Sequence, residues 1–69
     1  MDKEYLIQLL RHLWCLNQNQ KNGIPCCTIR INDFIVEYTN YQISDGFLIL
    51  RFEDILIGFI DINDIYEIK

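Results

Sequence analysis

The hydrophobic pattern of the chain changes once, near Pro25. Before it, apolar residues recur at the i, i+3, i+4, i+7 spacing of a helix with one buried face: Tyr5, Leu6, Leu9, Leu10, Leu13 and Leu16. This spacing predicts one helix over residues 2–21, with Asp2 as its N-cap. Gly23 suits the left-handed position just past a helix end, and Pro25 cannot continue the helix.

After Pro25 the apolar residues alternate with polar ones, as they do in strands. The alternation over 27–31 predicts a strand, and further strands are predicted over 34–38, 41–44, 47–52 and 55–60. Two-residue turns are predicted at 32–33, 45–46 and 53–54, and Asp45-Gly46 is the strongest hairpin signal among them. Residues 61–68 predict either a short turn followed by an edge strand or a helical turn over 63–66.

These elements predict an α+β fold in a single domain over residues 1–69. A helix over 2–21 is followed by an antiparallel meander of five or six strands over 26–68, which forms an open sheet or a small barrel. In its element order, with a tight turn before a short last strand, the chain resembles the Sm-like barrels. That resemblance implies a topology only. The Asn-flanked glycine and the Lys-His pair of the Sm family have no counterpart here, so no RNA-binding residue transfers.

The apolar surface exceeds what so short a chain buries. The apolar arc of the helix spans about 200°, roughly twice what one sheet face covers. The strands over 47–52 and 55–60 are apolar on both faces, whereas a sheet with one wet face alternates. We therefore predict a homo-oligomer, with a dimer favoured. Its interface is predicted at Ile7, Leu10 and Trp14 on the helix or at the second face of the 47–60 hairpin.

The charge is concentrated in the last third of the chain. The formal net charge is −4, and residues 45–69 contain six acidic and two basic residues, whereas acids and bases balance before them. This acidity favours a basic protein partner over nucleic acid or a membrane surface. The candidate partner-binding residues are Asp61, Asp64, Glu67, Glu53 and Asp54. The alternative is that these side chains form a solvated face that keeps the protein soluble.

The first residues also bear on location. Met1 to Glu4 do not form the basic start of a signal peptide, and no apolar run approaches the roughly 20 residues that cross a bilayer. Three cysteines are an odd number, which is unlike a disulfide framework. We predict a soluble cytoplasmic protein.

Four residues supply ligand types that zinc sites use: His12, Cys15, Cys26 and Cys27. Their spacing lacks the paired cysteine knuckle, and adjacent cysteines on a strand point to opposite faces. A Cys–His nucleophile pair is the other interpretation, and packed thiols are favoured over both. The calcium-loop pattern that begins at Asp61 fails, because Tyr66 stands where a glycine is required. We therefore predict no enzyme, no metal and no cofactor.

The resulting hypothesis is a small non-catalytic interaction protein. Short acidic domains of this kind are typical of phages and mobile elements, where they sequester or block a partner such as a host-defence component. One alternative is an oligomeric Sm-like nucleic-acid binder, which would need a basic ring of Arg11, Arg30 and Arg51. Another is an acidic antitoxin or immunity protein. Aromatic residues at strand ends and on the helix are ambiguous between core and interface: Trp14, Tyr38, Tyr41 and Tyr66.

Overall fold

The computed structural model describes residues 1–69 and shows an α+β fold. Its elements are α1 (Lys3–Leu16), β1 (Gln18–Lys21), β2 (Ile24–Ile31), β3 (Phe34–Tyr38), β4 (Asn40–Ser44), β5 (Phe47–Phe52), β6 (Ile55–Asp61) and a 3₁₀ helix (Ile62–Asp64). The predicted helix followed by antiparallel strands is confirmed. The strands form two three-stranded sheets, in the orders β1-β2-β3 and β4-β5-β6, and not one closed barrel.

The helix prediction over 2–21 is wrong at its C-terminal end. Asp2 is the N-cap and accepts a hydrogen bond from the Tyr5 amide at 3.1 Å, as predicted. Helix α1 ends at Leu16, and the polar run that follows forms strand β1. That run has no apolar residue to extend the buried face of the helix. Asn22 and Gly23, with φ of 55° and 81°, form the two-residue turn of the β1–β2 hairpin and not a helix end.

The remaining turns lie where the pattern places them. Asn32, Asp45 and Glu53 each open a two-residue turn with positive φ. The strands over 34–38 and 47–52 have the predicted bounds. The first predicted strand, over 27–31, begins three residues earlier, because Ile24 and Pro25 pair with β1.

The two sheets are joined at two places. Between β3 and β4, the Thr39 amide donates to the Arg51 carbonyl at 2.8 Å. At the C-terminus, Ile68 forms a bridge with Ile31, and Arg30 and Lys69 exchange backbone hydrogen bonds at 2.9 and 3.0 Å. Each alternative for residues 61–68 therefore holds in part, because a short 3₁₀ helix precedes a single bridge.

The core lies between α1, the two sheets and the C-terminal segment. Its twelve buried residues are Leu6, Leu10, Leu13, Cys27, Ile29, Ile31, Tyr38, Leu48, Leu50, Ile62, Ile65 and Ile68. Leu10, a predicted interface residue, is completely buried within this core, so its side chain is not accessible to a second chain in this structure. The spacing of Leu6, Leu10 and Leu13 already fills the inward stripe of the helix. Fully burying each such side chain stabilises the fold by about 1.5–3 kcal/mol.

Candidate functional site

Strand β6 has a free edge and exposes most of its apolar side chains. It pairs with β5 alone, as the last strand of its sheet. The side chains of Ile55, Leu56, Ile57 and Phe59 are 67%, 56%, 40% and 57% exposed. We call the unpaired backbone of β6, together with these four side chains, the β6 edge. Exposed apolar side chains on an edge strand are typical of a surface that another chain covers.

A β-bulge interrupts the pairing of β6 with β5. Leu50 pairs with Gly58 whereas Arg51 pairs with Leu56, so Ile57 is an extra residue in the strand. A bulge bends its strand and increases the local twist. Gly58 allows the close approach to β5, because a Cβ there would lie 3.2 Å from Leu50 Cδ1.

Aromatic packing organises the outer face of the hairpin. The rings of Phe47 and Phe59 stack with their centroids 4.7 Å apart and an interplanar angle of 25°. Phe47 is opposite Asp61 in the register, and Phe59 is opposite Ile49. The exposed ring of Phe59 is therefore held in place by β5, which gives the β6 edge one preorganised aromatic side chain.

Strand β3 extends the apolar surface beyond β6. Phe34 and Ile35 are 73% and 75% exposed. An open cavity of about 250 Å³ lies between β3 and the tip of the β5–β6 hairpin, and its lining includes Ile35, Phe52 and Ile57. Lys21 lies over the Phe52 ring at 5.8 Å and pairs with Glu37 at 3.4 Å.

Two of the other outer strands, β1 and β4, are more polar than β6, and the third, β3, contains the charged Glu37. Strand β1 consists of Gln, Asn, Gln and Lys, and β4 contains Asn, Gln and Ser. Strand β6 contains no charged residue from 55 to 60. Its charges stand only at its ends, with Glu53 and Asp54 before it and Asp61 as its last residue.

The five predicted acidic residues do not form one face. Glu53 and Asp54 lie in the turn before β6, and Asp61 lies at the other end of this seven-residue strand. A strand of that length spans roughly 20 Å. The Asp61 carboxylate caps the 3₁₀ helix by accepting from the Asn63 amide at 2.9 Å. The charge count along the sequence therefore combined residues that the fold separates.

Asp64 and Glu67 lie in the C-terminal segment. Asp64 is exposed, and its carbonyl accepts a hydrogen bond from Asn32 Nδ2 at 3.0 Å. Glu67 pairs with Lys69 Nζ at 2.9 Å, and this hydrogen bond lowers the pKa of Glu67. Because Glu67 is already paired with a lysine of its own chain, it is a weaker candidate for a partner contact than Asp64.

Asn32 docks the C-terminal segment on the β2–β3 turn. Its Oδ1 accepts from the amides of Tyr66 and Glu67 at 3.0 and 3.3 Å. The hydroxyl of the exposed Tyr66 donates to Asp33 Oδ2 at 3.3 Å, and the Asp33 charge raises the pKa of Tyr66. Tyr66 is thus exposed but fixed. Asn32 was predicted only as a turn residue, and the sequence pattern did not indicate its contact with the C-terminal segment.

The other two predicted interface residues are half-buried. Ile7 and Trp14 are each partly covered within the chain. The Trp14 ring packs on Tyr38 with centroids 5.8 Å apart, and Tyr38 meets Tyr41 at 6.4 Å. Open cavities of about 540 and 260 Å³ lie on the two sides of Trp14. Trp14 therefore has a packing role within the chain.

The residues considered for zinc or nucleophile chemistry are separated. His12 and Cys15 are exposed on α1, whereas Cys26 and Cys27 are buried. Cys26 Sγ donates to Asn19 Oδ1 at 2.7 Å. Cys27 Sγ donates to the Leu13 carbonyl at 3.6 Å, and burial raises the pKa of the Cys27 thiol. No three His, Cys, Asp or Glu side chains come close enough to hold a metal ion.

The arginines considered for a nucleic-acid surface lie on three different elements. Arg11 is on α1, Arg30 on β2 and Arg51 on β5, where its guanidinium donates to Gln42 Oε1 at 3.1 Å.

The chain contains no helix with the length and apolar character needed to cross a membrane. The sequence and the structure were also compared with known proteins. No family model, curated protein or solved structure shows significant similarity to this chain.

Proposed function

We propose that this chain is a small non-catalytic binding protein that acts by covering a surface of a partner protein. The observation that carries the proposal is the β6 edge, where four large apolar side chains of one strand are 40–67% exposed. Apolar side chains in contact with water gain free energy when a partner buries them. The inhibitors that phages and mobile elements direct at host-defence components work by this kind of occlusion, and we place the protein in that class.

The exposed apolar side chains of the β6 edge also lie close together. Strand β6 carries four of them within five positions: Ile55, Leu56, Ile57 and Phe59. Ile35 of β3 lines the same open cavity as Ile57. Apolar residues scattered singly over a surface need no functional explanation, whereas a contiguous group indicates an interaction site. The carboxylates at the ends of β6 add long-range attraction to a basic partner.

The test compares two kinds of surface variant in affinity capture from the native host. Ile55→Lys with Phe59→Lys places charges on the β6 edge. Leu16→Lys changes a side chain that is 65% exposed on α1 and serves as the matched control. We expect one partner protein to be retained by the wild type and by Leu16→Lys, and to be lost from the double variant. A partner that all three proteins retain equally would contradict the assignment of the surface.

Self-association is decided by sedimentation of the wild type at micromolar concentration. The sequence pattern predicted a dimer, and this prediction has not been tested. We propose instead that a different protein covers the β6 edge, because the acidic residues at both ends of β6 disfavour pairing with a second copy, and we expect the isolated protein to sediment at its monomer mass of 8.3 kDa. A species of twice that mass that dissociates in the Ile55→Lys, Phe59→Lys variant would mean that a second copy covers the β6 edge. The proposed covering of a different protein would then be wrong.

We also propose that the two sheets together form an open small barrel. Two features support it: the Thr39–Arg51 backbone hydrogen bond joins the two sheets, and the Ile31–Ile68 bridge brings the C-terminus onto β2. The nucleic-acid alternative receives less support, because Arg11, Arg30 and Arg51 lie on separate elements of an acidic chain.

A further inference from the structure

We propose that the β6 edge binds an extended segment of its partner as a fourth, antiparallel strand of the β4-β5-β6 sheet. We further propose that this segment is apolar in its middle and carries lysine or arginine at both ends. The inference rests on the proposed function, since it names the mode of binding and the chemistry of the partner at the same surface.

The backbone of β6 supplies the first argument. As the last strand of its sheet, β6 has hydrogen-bonding groups that β5 does not use. Such a row of free N–H and C=O groups is a template for another strand. The other outer strands are less suitable, because β1 is wholly polar, β4 is polar at three of its five residues, and β3 contains Glu37, which pairs with Lys21.

The side chains of β6 specify the middle of the added strand. Ile55 and Leu56 are adjacent in sequence, so they point to opposite faces of the sheet, and both are more than half exposed. The incoming segment therefore meets apolar side chains on both faces. A segment that alternates between apolar and charged residues would place charges against one of these faces and bind poorly.

The carboxylates specify its ends. Glu53 and Asp54 precede β6, Asp61 ends it, and no charge lies between. An antiparallel strand of matching length has one end beside Glu53 and Asp54 and the other beside Asp61. Opposite charges at neighbouring positions across strands are favourable, and like charges are not. Basic residues at both ends of the segment complement this arrangement.

The same charges argue against a second copy of this chain as the occupant. In an antiparallel pair of β6 strands, Asp54 of one copy lies near Asp61 of the other at both ends of the pair. In a parallel pair, each acidic residue faces its own equivalent. Both arrangements place carboxylates against carboxylates, so a partner with basic ends is favoured over self-pairing.

The test uses two blocked nine-residue peptides and amide chemical shifts of the whole 69-residue protein. Both peptides contain the sequence Val-Ile-Thr-Val-Ile, with two lysines at each end in one and two glutamates at each end in the other. We expect the lysine peptide to shift amides of residues 53–61 and to bind about tenfold more tightly at low salt, as three exposed charge pairs imply. Shifts centred elsewhere, or equal affinities, would overturn the proposal.

Matched variants distinguish the effect of the carboxylates beside β6 from the effect of net charge. Glu53→Gln with Asp54→Asn should remove most of the preference for the lysine peptide. Glu4→Gln with Asp33→Asn makes the same change in net charge away from β6 and should leave the preference intact. Ile55→Lys should weaken binding of the lysine peptide by at least about tenfold, whereas Leu16→Lys should not. An equal loss in both charge-neutralising pairs would show a net-charge effect and would overturn the assignment to the ends of β6.

The experiments distinguish a failure of the proposed mode of binding from a failure of the proposed function. If the captured partner depends on the β6 edge but the lysine peptide does not bind there, strand addition by a basic-ended segment is wrong and the binding function stands. If no partner depends on the β6 edge, the proposed function is wrong, whatever the peptides do.

Discussion

Cys27 and Tyr38 are paired directly across β2 and β3, and both side chains are completely buried. The Tyr38 hydroxyl lies beside the Cys27 thiol, and it has no hydrogen-bond partner of good geometry. A buried polar group without a partner costs about 1–3 kcal/mol, because it has lost its bonds to water. The pair therefore combines good apolar packing with a hydroxyl group whose hydrogen bonding is not satisfied at the centre of the fold.

The first prediction removes that hydroxyl. Tyr38→Phe retains the ring contacts with Trp14 and Tyr41 and deletes the unpartnered oxygen. We expect the free energy of unfolding to increase by about 1 kcal/mol. Urea denaturation monitored by Trp14 fluorescence measures it. A decrease of similar size would show that the hydroxyl donates a hydrogen bond in solution.

The second prediction concerns alkaline pH. Burial raises the pKa of Cys27 above 9.0 and that of Tyr38 above 10.0, their ordinary values. The folded state therefore holds both protons more tightly than the unfolded state. The resulting stability is fully present below pH 9 and is lost as pH rises toward the folded pKa values. We expect the free energy of unfolding to fall above about pH 9, by at most about 1.4 kcal/mol per pH unit for each group.

Urea titrations between pH 7 and pH 11 test this dependence. The fall should be shallower in Tyr38→Phe, which lacks the buried phenol, and unchanged in Tyr5→Phe, whose side chain is exposed on α1. The same slope in all three proteins would assign the alkaline loss to other groups.

The third prediction concerns the docking of the C-terminal segment by Asn32. Asn32→Gly keeps the positive φ of 54° accessible and removes three side-chain hydrogen bonds. We expect it to destabilise the fold by about 1–3 kcal/mol. Asn32→Ala should cost about 1–2 kcal/mol more, because a Cβ disfavours the left-handed conformation.

Amide hydrogen exchange identifies the affected region. The amide of Lys69, which donates to Arg30, should exchange faster in both variants of Asn32. If the Lys69 amide kept its protection, the bridge to β2 would not depend on the side chain of Asn32.

The fourth prediction addresses catalysis. His12→Ala combined with Cys26→Ser and Cys27→Ser should lower stability, because two buried thiols are replaced by hydroxyls. Partner binding by the variant should remain, provided that its circular dichroism shows the native fold. Loss of activity in a well-folded triple variant would mean that these side chains take part in chemistry.

The elements could be predicted from local patterns, and the errors have local causes too. Asn22-Gly23 suits both a helix end and a hairpin turn, and the helical spacing up to Leu16 favoured the first. Only the polar run at 17–20 separates the two interpretations, because it leaves nothing for a longer helix to bury. The meander after Pro25 was predictable, since Asn32, Asp45 and Gly46 tolerate positive φ, although Glu53, with φ of 58°, does not favour it.

The surface was harder to predict, because it depends on which elements cover one another. The width of the apolar arc of α1 does not reveal that Leu10 faces the core while Trp14 packs on Tyr38. The two apolar faces of the 47–60 hairpin correctly indicated an excess of exposed apolar surface. The bulge at Ile57, which sets the shape of that surface, has no signature in the sequence other than Gly58 beside it.

The pairing of neighbouring strands has a consequence for the rate and order of folding. Four two-residue turns connect strands that pair with their nearest neighbours in sequence, so most of the β structure closes short loops. The bridge of Ile68 to Ile31 is the exception, because it joins residues far apart in the chain. We expect the Asp45-Gly46 hairpin to form before the transition state and the C-terminal bridge after it. Substitutions in the turn should then slow folding, whereas substitutions at Ile68 should mainly accelerate unfolding.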